Sequence, residues 1–284
     1  MDYSRPTLLI DRERAIRNIE RMQLKAGRSG VIFRPHFKTH QSAEVGEWFR
    51  QLGVDRITVS SLDMAAYFAG HGWKDITVAF PVNTRQIDLI RHLASSIKLN
   101  LLVESRESIE MLDRNLNGRT GLWLKIDVGS HRTGLDWEDP ERVMELADLI
   151  GQSRHLKLEG LLTHAGHTYR AGSPEEIKSI YFQTAQIMNG LRDSLVTRGF
   201  SDCLVSVGDT PACSMVNDFS AVDEIRPGNF VYYDLMQYRL GACRREEIAA
   251  LVACPVVALH PKRSHVILYG GAVHLSKDSL MINQ

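Results

Sequence analysis

The sequence lacks several features that would assign the protein to a specialised class. Its 34 Lys and Arg residues are balanced by 34 Asp and Glu residues, so no excess positive charge is available for nucleic acid or an anionic membrane. No apolar run approaches the length that spans a bilayer, and residues 1–6 lack the apolar stretch of a signal peptide. We therefore expect neither a nucleic-acid partner nor a membrane partner.

Cysteine pairs and a nucleotide-binding glycine signature are missing as well. The four cysteines, Cys203, Cys213, Cys243 and Cys254, show no CxxC spacing. In a chain of this size they predict reduced thiols and a cytoplasmic location. The absence of the dinucleotide glycine pattern counts mildly against an open, doubly wound sheet.

The sequence does contain a regular alternation of short apolar strands and longer amphipathic helices. The predicted strands are Val31–Phe33, Arg56–Val59, Ile76–Phe80, Leu99–Val103, Leu122–Ile126, Leu158–Leu162, Leu204–Val207 and Ala221–Ile225. Eight such units are what a parallel (β/α)8 TIM barrel requires. Alternation alone does not prove closure, so an open sheet stays the structural alternative.

Two segments fall outside this repeat and predict a second, smaller β domain. Thr7–Ile10 forms an extra strand at the start, and Ile248–Leu259 and His265–Tyr269 are strand-like without intervening helices. We therefore predict a barrel over residues 12–240 and a β domain made of residues 1–11 and 241–284. About 40 residues are too few to close such a domain around its own core, so we expect it to be cut short at the C-terminus.

Lys38 is the most informative single residue. It lies in the run Arg34–His40, directly after the first predicted barrel strand. Nearby positive charge lowers the pKa of a lysine, and such a lysine can attack a carbonyl and hold a Schiff base. An ordinary surface lysine in a basic loop is the alternative.

The loops after the seventh and eighth predicted strands, Ser206–Pro211 and Arg226–Phe230, are a second signal. Barrel enzymes often bind phosphate at these loops, where glycine lets backbone N–H groups approach the anion. Thr210 precedes a predicted helix start that favours an anion, although ordinary turn chemistry explains either loop alone. Together with Lys38 on the first strand, the two loops suggest pyridoxal phosphate, whose aldehyde and phosphate lie on opposite sides of its ring.

Histidine and arginine residues follow the fifth and sixth strands. His164 and His167 form either a metal pair, a ring packed against a cofactor, or plain loop histidines. Arg132 lies between glycines that permit a sharp turn, which could aim it at a phenolate-like oxygen. A solvated arginine is the alternative.

These motifs resemble those of fold-type III pyridoxal phosphate enzymes, the superfamily of the alanine racemase N-terminal barrel. The branch that they resemble most contains D-threonine aldolase and eukaryotic-type D-serine dehydratase, and the resemblance covers nearly the whole chain. The runs that carry it are Arg34–His40, Lys125–Gly134, Thr163–Tyr169, Gly208–Pro211 and Glu224–Phe230.

The resemblance implies a role for each candidate residue. Lys38 would bind the cofactor and serve as a catalytic base at the substrate's α-carbon, and His164, also catalytic, would lie against the ring face. Arg132 would contact the phenolic oxygen, Tyr169 the ring edge and Arg226 the pyridine nitrogen. The residues implied to surround the phosphate are Gly208, Thr210, Gly228, Asn229 and, nearby, Tyr233.

The resemblance also implies the reaction. The expected activity is that of a homodimeric, pyridoxal phosphate-dependent lyase that cleaves or dehydrates a β-hydroxy D-amino acid. An amino-acid racemase and a non-catalytic pyridoxal phosphate-binding protein are the alternatives. This branch carries a His-x-Cys or His-x-Asp metal site in its β domain, and no such tripeptide follows Gly241. We therefore expect no metal ligands within the given sequence, and a divalent metal such as zinc or manganese only through residues beyond it.

Overall fold

The structure is a computed structural model that describes residues 3–276 and residue 279. Its strands are β1 Thr7–Ile10, β2 Ile32–Phe33, β3 Arg56–Val59, β4 Asp75–Pro81, β5 Lys98–Val103, β6 Thr120–Asp127, β7 Leu135–Asp136, β8 Leu156–Leu162, β9 Leu204–Val207, β10 Glu224–Ile225, β11 Ala250–Ala253, β12 Val256–His260 and β13 His265–Leu268. Its α-helices are α1 Arg12–Arg28, α2 Ala43–Gln51, α3 Leu62–Gly70, α4 Ile87–Ser96, α5 Arg106–Asn115, α6 Pro140–Gln152, α7 Pro174–Thr197, α8 Thr210–Met215 and α9 Leu235–Arg239.

Eight of the strands form a parallel barrel. A continuous hydrogen-bonded ladder joins them in the order β2, β10, β9, β8, β6, β5, β4 and β3. The ladder is interrupted between β2 and β3, where an isolated bridge of His36 and Thr58 spans the gap and the Phe37 N–H donates to the Thr58 carbonyl at 2.8 Å. The predicted (β/α)8 barrel is therefore confirmed as a nearly closed parallel barrel.

The helices that follow the barrel strands begin at residues that cap them. The Ser105 hydroxyl accepts the N–H of Ser108, and the Ser173 hydroxyl accepts the N–H of Glu176. Asn83 lies shortly before α4 but does not cap it directly. Its side chain accepts the N–H of Arg85, two residues on, and this closer bond starts a 3₁₀ turn before α4 begins.

The apolar core lies between the barrel strands and the surrounding helices, and the inside of the barrel is more polar. On β10 and just after it, Ile225 is fully buried in the apolar core, whereas its neighbours Glu224 and Arg226 are 0% and 4% exposed and contact other polar groups. Arg34, which follows β2, is 3% exposed. Side chains alternate between the two faces of a strand, so this pattern directs the charged residues into the barrel.

Two antiparallel ribbons complete the described part of the chain. β1 pairs with β11, and β12 pairs with β13. Many of their apolar side chains are exposed, including Leu8, Leu251, Leu259 and Val266. The division into a barrel at 12–240 and a β domain that is cut short stays a prediction. Residues 1, 2, 277, 278 and 280–284 of that predicted β domain lie outside the described residues.

Candidate active site

The candidate site is a pocket at the carboxyl ends of the barrel strands, where active sites of this fold lie. It is lined by side chains that come from distant parts of the sequence. The predicted site residues among them are Lys38, Arg132, His164, Tyr169, Gly208, Thr210, Arg226, Gly228 and Asn229. Tyr233 does not line this pocket. It is buried to one side, with its hydroxyl 3.1 Å from the Ser214 hydroxyl.

The surroundings of Lys38 lower the pKa of its amine, but through burial and two arginines from elsewhere in the chain and not through the basic residues beside it in the sequence. The side chain reaches solvent through the pocket, but protein surrounds most of it, and this partial burial lowers the pKa of its amine. The positive charges of Arg132 and Arg226 lower the pKa further. A larger share of uncharged amine is therefore present near neutral pH, which is the form that reacts with a carbonyl.

A second lysine, Lys125, lines the same pocket and was not among the predicted site residues. Burial lowers its pKa to about 8, and the nearby charge of Arg226 acts in the same direction. Its Nζ is held by a hydrogen bond to the Ile126 carbonyl at 2.7 Å, whereas the described residues offer Lys38 Nζ no hydrogen bond. Side chains alternate between the two faces of a strand, and Lys125 is two residues before the end of β6. This alternation could have identified Lys125 as a residue that points into the barrel near the site.

The loop after β10 approaches the loops after β9 and β2 so closely that glycine is required. A Cβ on Gly208 would lie 2.8 Å from the carbonyl carbon of Arg226, and a Cβ on Gly228 would lie 2.9 Å from the carbonyl oxygen of His36. Beside them the Thr210 hydroxyl is buried and has no hydrogen bond of ordinary geometry, although the Tyr169 side chain approaches it. A buried hydroxyl in this position is suited to an acceptor such as a phosphate oxygen.

Asp209 organises this end of the pocket and was missed as a site residue. Its carboxylate accepts the Ala212 N–H at 2.8 Å and the Thr168 hydroxyl at 2.9 Å, which fixes the start of α8. Burial raises its pKa to about 6. Its place directly before Thr210 and Pro211, typical of a helix cap, was the available signal.

His164 is a neutral ring in this structure. Its Nδ1 faces the Gly208 carbonyl, and because a carbonyl can only accept, Nδ1 carries the hydrogen. Burial lowers its pKa to about 3, and the charges of Lys38 and Arg226 contribute. The fixed tautomer leaves Nε2 as an acceptor. His36, also in the pocket lining, is buried and its pKa is lowered by burial and by the charge of Lys38, so it is uncharged as well.

The described residues fit pyridoxal phosphate. The pocket offers an amine with a lowered pKa at one side, and glycine-lined loops with a buried, unsatisfied hydroxyl at another. Arg132 and Arg226 add positive charge for an anionic ligand. Among residues 3–276 and 279, no three His, Cys, Asp or Glu side chains are grouped so that they could hold a metal ion. No helix in that part of the chain is long and apolar enough to cross a membrane.

A parallel barrel with a lysine of lowered pKa and glycine-lined loops at the carboxyl ends of its strands is suited to an aldehyde that also carries a phosphate. The comparisons with known proteins agree with this interpretation. The chain belongs to the alanine racemase N-terminal domain family, whose sequence model matches residues 10–235. The family recognised from the motifs is confirmed.

Several relatives of this chain are lyases of D-amino acids. It is 32% identical to D-serine dehydratase of Dictyostelium discoideum, over 92% of this chain and 71% of that protein. The structure of D-threo-3-hydroxyaspartate dehydratase from Delftia sp. HT23 matches with a TM-score of 0.91 and 29% identity, over 98% of this chain and 74% of that one. D-threonine aldolase from Filomicrobium marinum, 20% identical with a TM-score of 0.83 over 89% and 69% of the two chains, shares the fold.

Neutralising Arg132 is expected to raise the pKa of Lys38, because a neighbouring positive charge is removed. The uncharged amine is the form that reacts with pyridoxal phosphate. In Arg132→Gln, the pH at which the apoprotein forms its borohydride-trappable adduct half as fast as its maximum should therefore move up toward the ordinary lysine value of 10.5. Arg119→Gln, an exposed arginine beside a different cavity, is the matched control. An unchanged pH midpoint in Arg132→Gln would contradict this account of Lys38.

Proposed function

We propose that the protein is a pyridoxal phosphate-dependent lyase that acts on a β-hydroxy D-amino acid, with dehydration as its reaction. The observation that carries the proposal is Lys38, an amine with a lowered pKa, in one pocket with the glycine-lined loops around Gly208 and Gly228. Dehydration is favoured over aldol cleavage by two relatives of at least 30% identity that match nearly the whole chain, D-serine dehydratase and D-threo-3-hydroxyaspartate dehydratase.

The chain's own residues would divide the work at two sides of the pocket. Lys38 Nζ would anchor the carbonyl carbon of the cofactor and later take the proton from the substrate's α-carbon. Gly208, Thr210, Gly228 and Asn229 would hold the phosphate. When bound, pyridoxal phosphate supplies an electron sink for bonds at the substrate's α-carbon.

The remaining pocket residues would fix the ring and its charge. Arg132 would contact the phenolic oxygen, and the neutral ring of His164, held by Gly208, would lie against one face. Tyr169 would border the ring, since its hydroxyl accepts the Thr210 N–H at 3.3 Å and so stays close to the phosphate loop. Arg226 would face the pyridine nitrogen. Tyr233 would support this end through Ser214 on α8 and would not contact the phosphate.

The proposal has three further parts, which concern the assembly, the location and a metal. A homodimer is suggested by the exposed apolar side chains of β11 to β13. A cytoplasmic location is suggested by four cysteines that are all free thiols. A divalent metal such as zinc or manganese would polarise the leaving β-hydroxyl, as such cations do elsewhere.

Product analysis with purified holoprotein tests the proposal. D-serine and D-threo-3-hydroxyaspartate should each give a 2-oxo acid and ammonia, and D-alanine should give nothing. Parallel assays with added zinc or manganese, and with a chelator, test the metal. Glycine plus an aldehyde from D-threonine would make the protein an aldolase, and an L-enantiomer would make it a racemase. Absence of any product with every metal would favour a non-catalytic cofactor-binding role.

A further inference from the structure

A chain of polar side chains begins at the amino end of the barrel, opposite the candidate site; it is exposed at Lys98 and buried from Arg34 inward. Asp75 starts β4, and its carboxylate lies 3.2 Å from the ammonium of Lys98 at the start of β5. The same carboxylate forms an ion pair with the guanidinium of Arg34. Arg34 in turn donates through Nε to the Glu224 carboxylate at 2.6 Å. Positively and negatively charged side chains therefore alternate from the amino end of the barrel toward its interior.

The chain continues from Glu224 to the pocket. The other carboxylate oxygen of Glu224 accepts the Ser206 hydroxyl at 2.7 Å, and Ser206 Oγ accepts Arg226 Nε at 2.6 Å. A hydroxyl has a single hydrogen, so donation to Glu224 turns its lone pairs toward Arg226. The direction of the Ser206 hydroxyl is thus set by Glu224.

Arg226 is held on one side and free on the other. Besides Nε, its Nη2 donates to the backbone carbonyls of Thr163 and Ser206. Nη1 has no hydrogen bond to the described residues, and Arg226 lines the pocket. The three fixed contacts leave the Nη1 edge as the part of the guanidinium available to a ligand.

The position of Arg226 is electrostatically demanding. Burial lowers its pKa to about 10, and the carboxylate of Glu224, 3.9 Å from Nε, acts in the opposite direction. Other cations, Lys38 and Lys125, line the same pocket. A buried cation is tolerated where a carboxylate and hydrogen bonds compensate it, and Glu224 supplies the nearest such charge inside the barrel.

We propose that Glu224 is a positioning residue that, through Ser206, orients Arg226 so that its Nη1 edge faces the ring nitrogen of the bound cofactor. A guanidinium in that position donates a hydrogen bond to the nitrogen and opposes its protonation, because two adjacent positive charges repel. The proposal rests on the proposed function, since it concerns the same cofactor. It adds a specific relay, Glu224 to Ser206 to Arg226, that controls the charge of the cofactor ring.

A purely structural role of the buried chain makes a different prediction. Asp75 belongs to the same chain but contacts Arg34, Lys98 and Asn100, not Arg226 or Ser206. If the chain only stabilises the barrel, changes at Asp75, Ser206 and Glu224 should act alike. If the relay controls Arg226, only Ser206 and Glu224 should affect the cofactor ring.

The test reconstitutes the holoprotein with pyridoxal phosphate labelled with ¹⁵N in the ring and follows the ring-nitrogen NMR shift across pH. In wild type and in Asp75→Asn we expect one unprotonated, hydrogen-bonded resonance throughout. In Glu224→Gln and Ser206→Ala we expect a displaced resonance that depends on pH. The apparent Kd for pyridoxal phosphate, from fluorescence titration of the apoprotein, should rise about tenfold in these two variants.

The outcomes separate the two proposals. A wild-type protein that forms no borohydride adduct with pyridoxal phosphate would overturn the proposed function itself. A wild-type adduct combined with the same ¹⁵N shift in Glu224→Gln and Ser206→Ala would overturn only the relay. If Glu224→Gln does not fold, Ser206→Ala decides, because it keeps both buried charges and removes only the connecting hydroxyl.

Discussion

Lys38→Ala is expected to abolish lyase activity, with a loss of at least roughly 10³-fold in kcat/KM. The variant removes the amine that would anchor the cofactor and take the α-proton, and no other group at that position can do both. The release of 2-oxo acid from D-serine or D-threo-3-hydroxyaspartate measures the loss. The visible absorption band of the cofactor–lysine adduct should disappear with the activity.

Lys125→Met is the matched control, because Lys125 is the other lysine of the pocket. The Ile126 carbonyl also accepts the Thr163 hydroxyl at 2.8 Å, so it keeps one hydrogen bond when Lys125 is removed. We expect this variant to keep the absorption band and measurable activity. Loss of the band in Lys125→Met, together with its retention in Lys38→Ala, would contradict the assignment.

Gly208→Ala is expected to weaken cofactor binding strongly. The new Cβ would lie 2.8 Å and 2.9 Å from the carbonyl carbon and Cα of Arg226, and backbone atoms cannot turn away as a side chain can. The loops after β9 and β10 would have to separate, and overpacking of this kind costs about 1–3 kcal/mol. If that cost falls on the bound state, the Kd for pyridoxal phosphate rises roughly 5- to 150-fold.

Gly190→Ala provides the control for Gly208→Ala. Gly190 lies in α7, where an added Cβ would meet no atom within 4 Å. It should leave the Kd unchanged and raise the free energy of unfolding by about 0.5–1 kcal/mol, because alanine favours the helix. Fluorescence titration and chemical denaturation measure the two quantities. Wild-type cofactor affinity in Gly208→Ala would contradict the phosphate cradle.

The barrel could be predicted from the sequence because each of its strands and helices is marked by residues that are close together in the chain. Each strand is a short apolar run, and capping residues such as Ser105 and Ser173 mark where the next helix begins. The lysine and the two glycine loops were visible for a similar reason, since a strand position in a barrel fixes where its following loop lies.

The chain of polar contacts from Arg34 through Glu224 and Ser206 to Arg226 could not be predicted from the sequence. Arg34 and Glu224 are far apart along the chain, and their ion pair exists only because β2 and β10 are neighbours in the closed barrel. The pairing of β9 with β10 in turn brings Ser206 of β9 between Glu224 and Arg226. Tyr233, predicted to lie near the phosphate, has its hydroxyl beside Ser214 and outside the pocket lining, and its role stays a prediction.

The central claim is that Lys38 holds pyridoxal phosphate, and mapping the site of attachment tests it most directly. The wild-type holoprotein is reduced with borohydride and digested, and the modified peptide is identified by mass spectrometry. The account predicts a single phosphopyridoxyl group on Lys38 and none on Lys125. A modified Lys125, or no modified lysine at all, would contradict it.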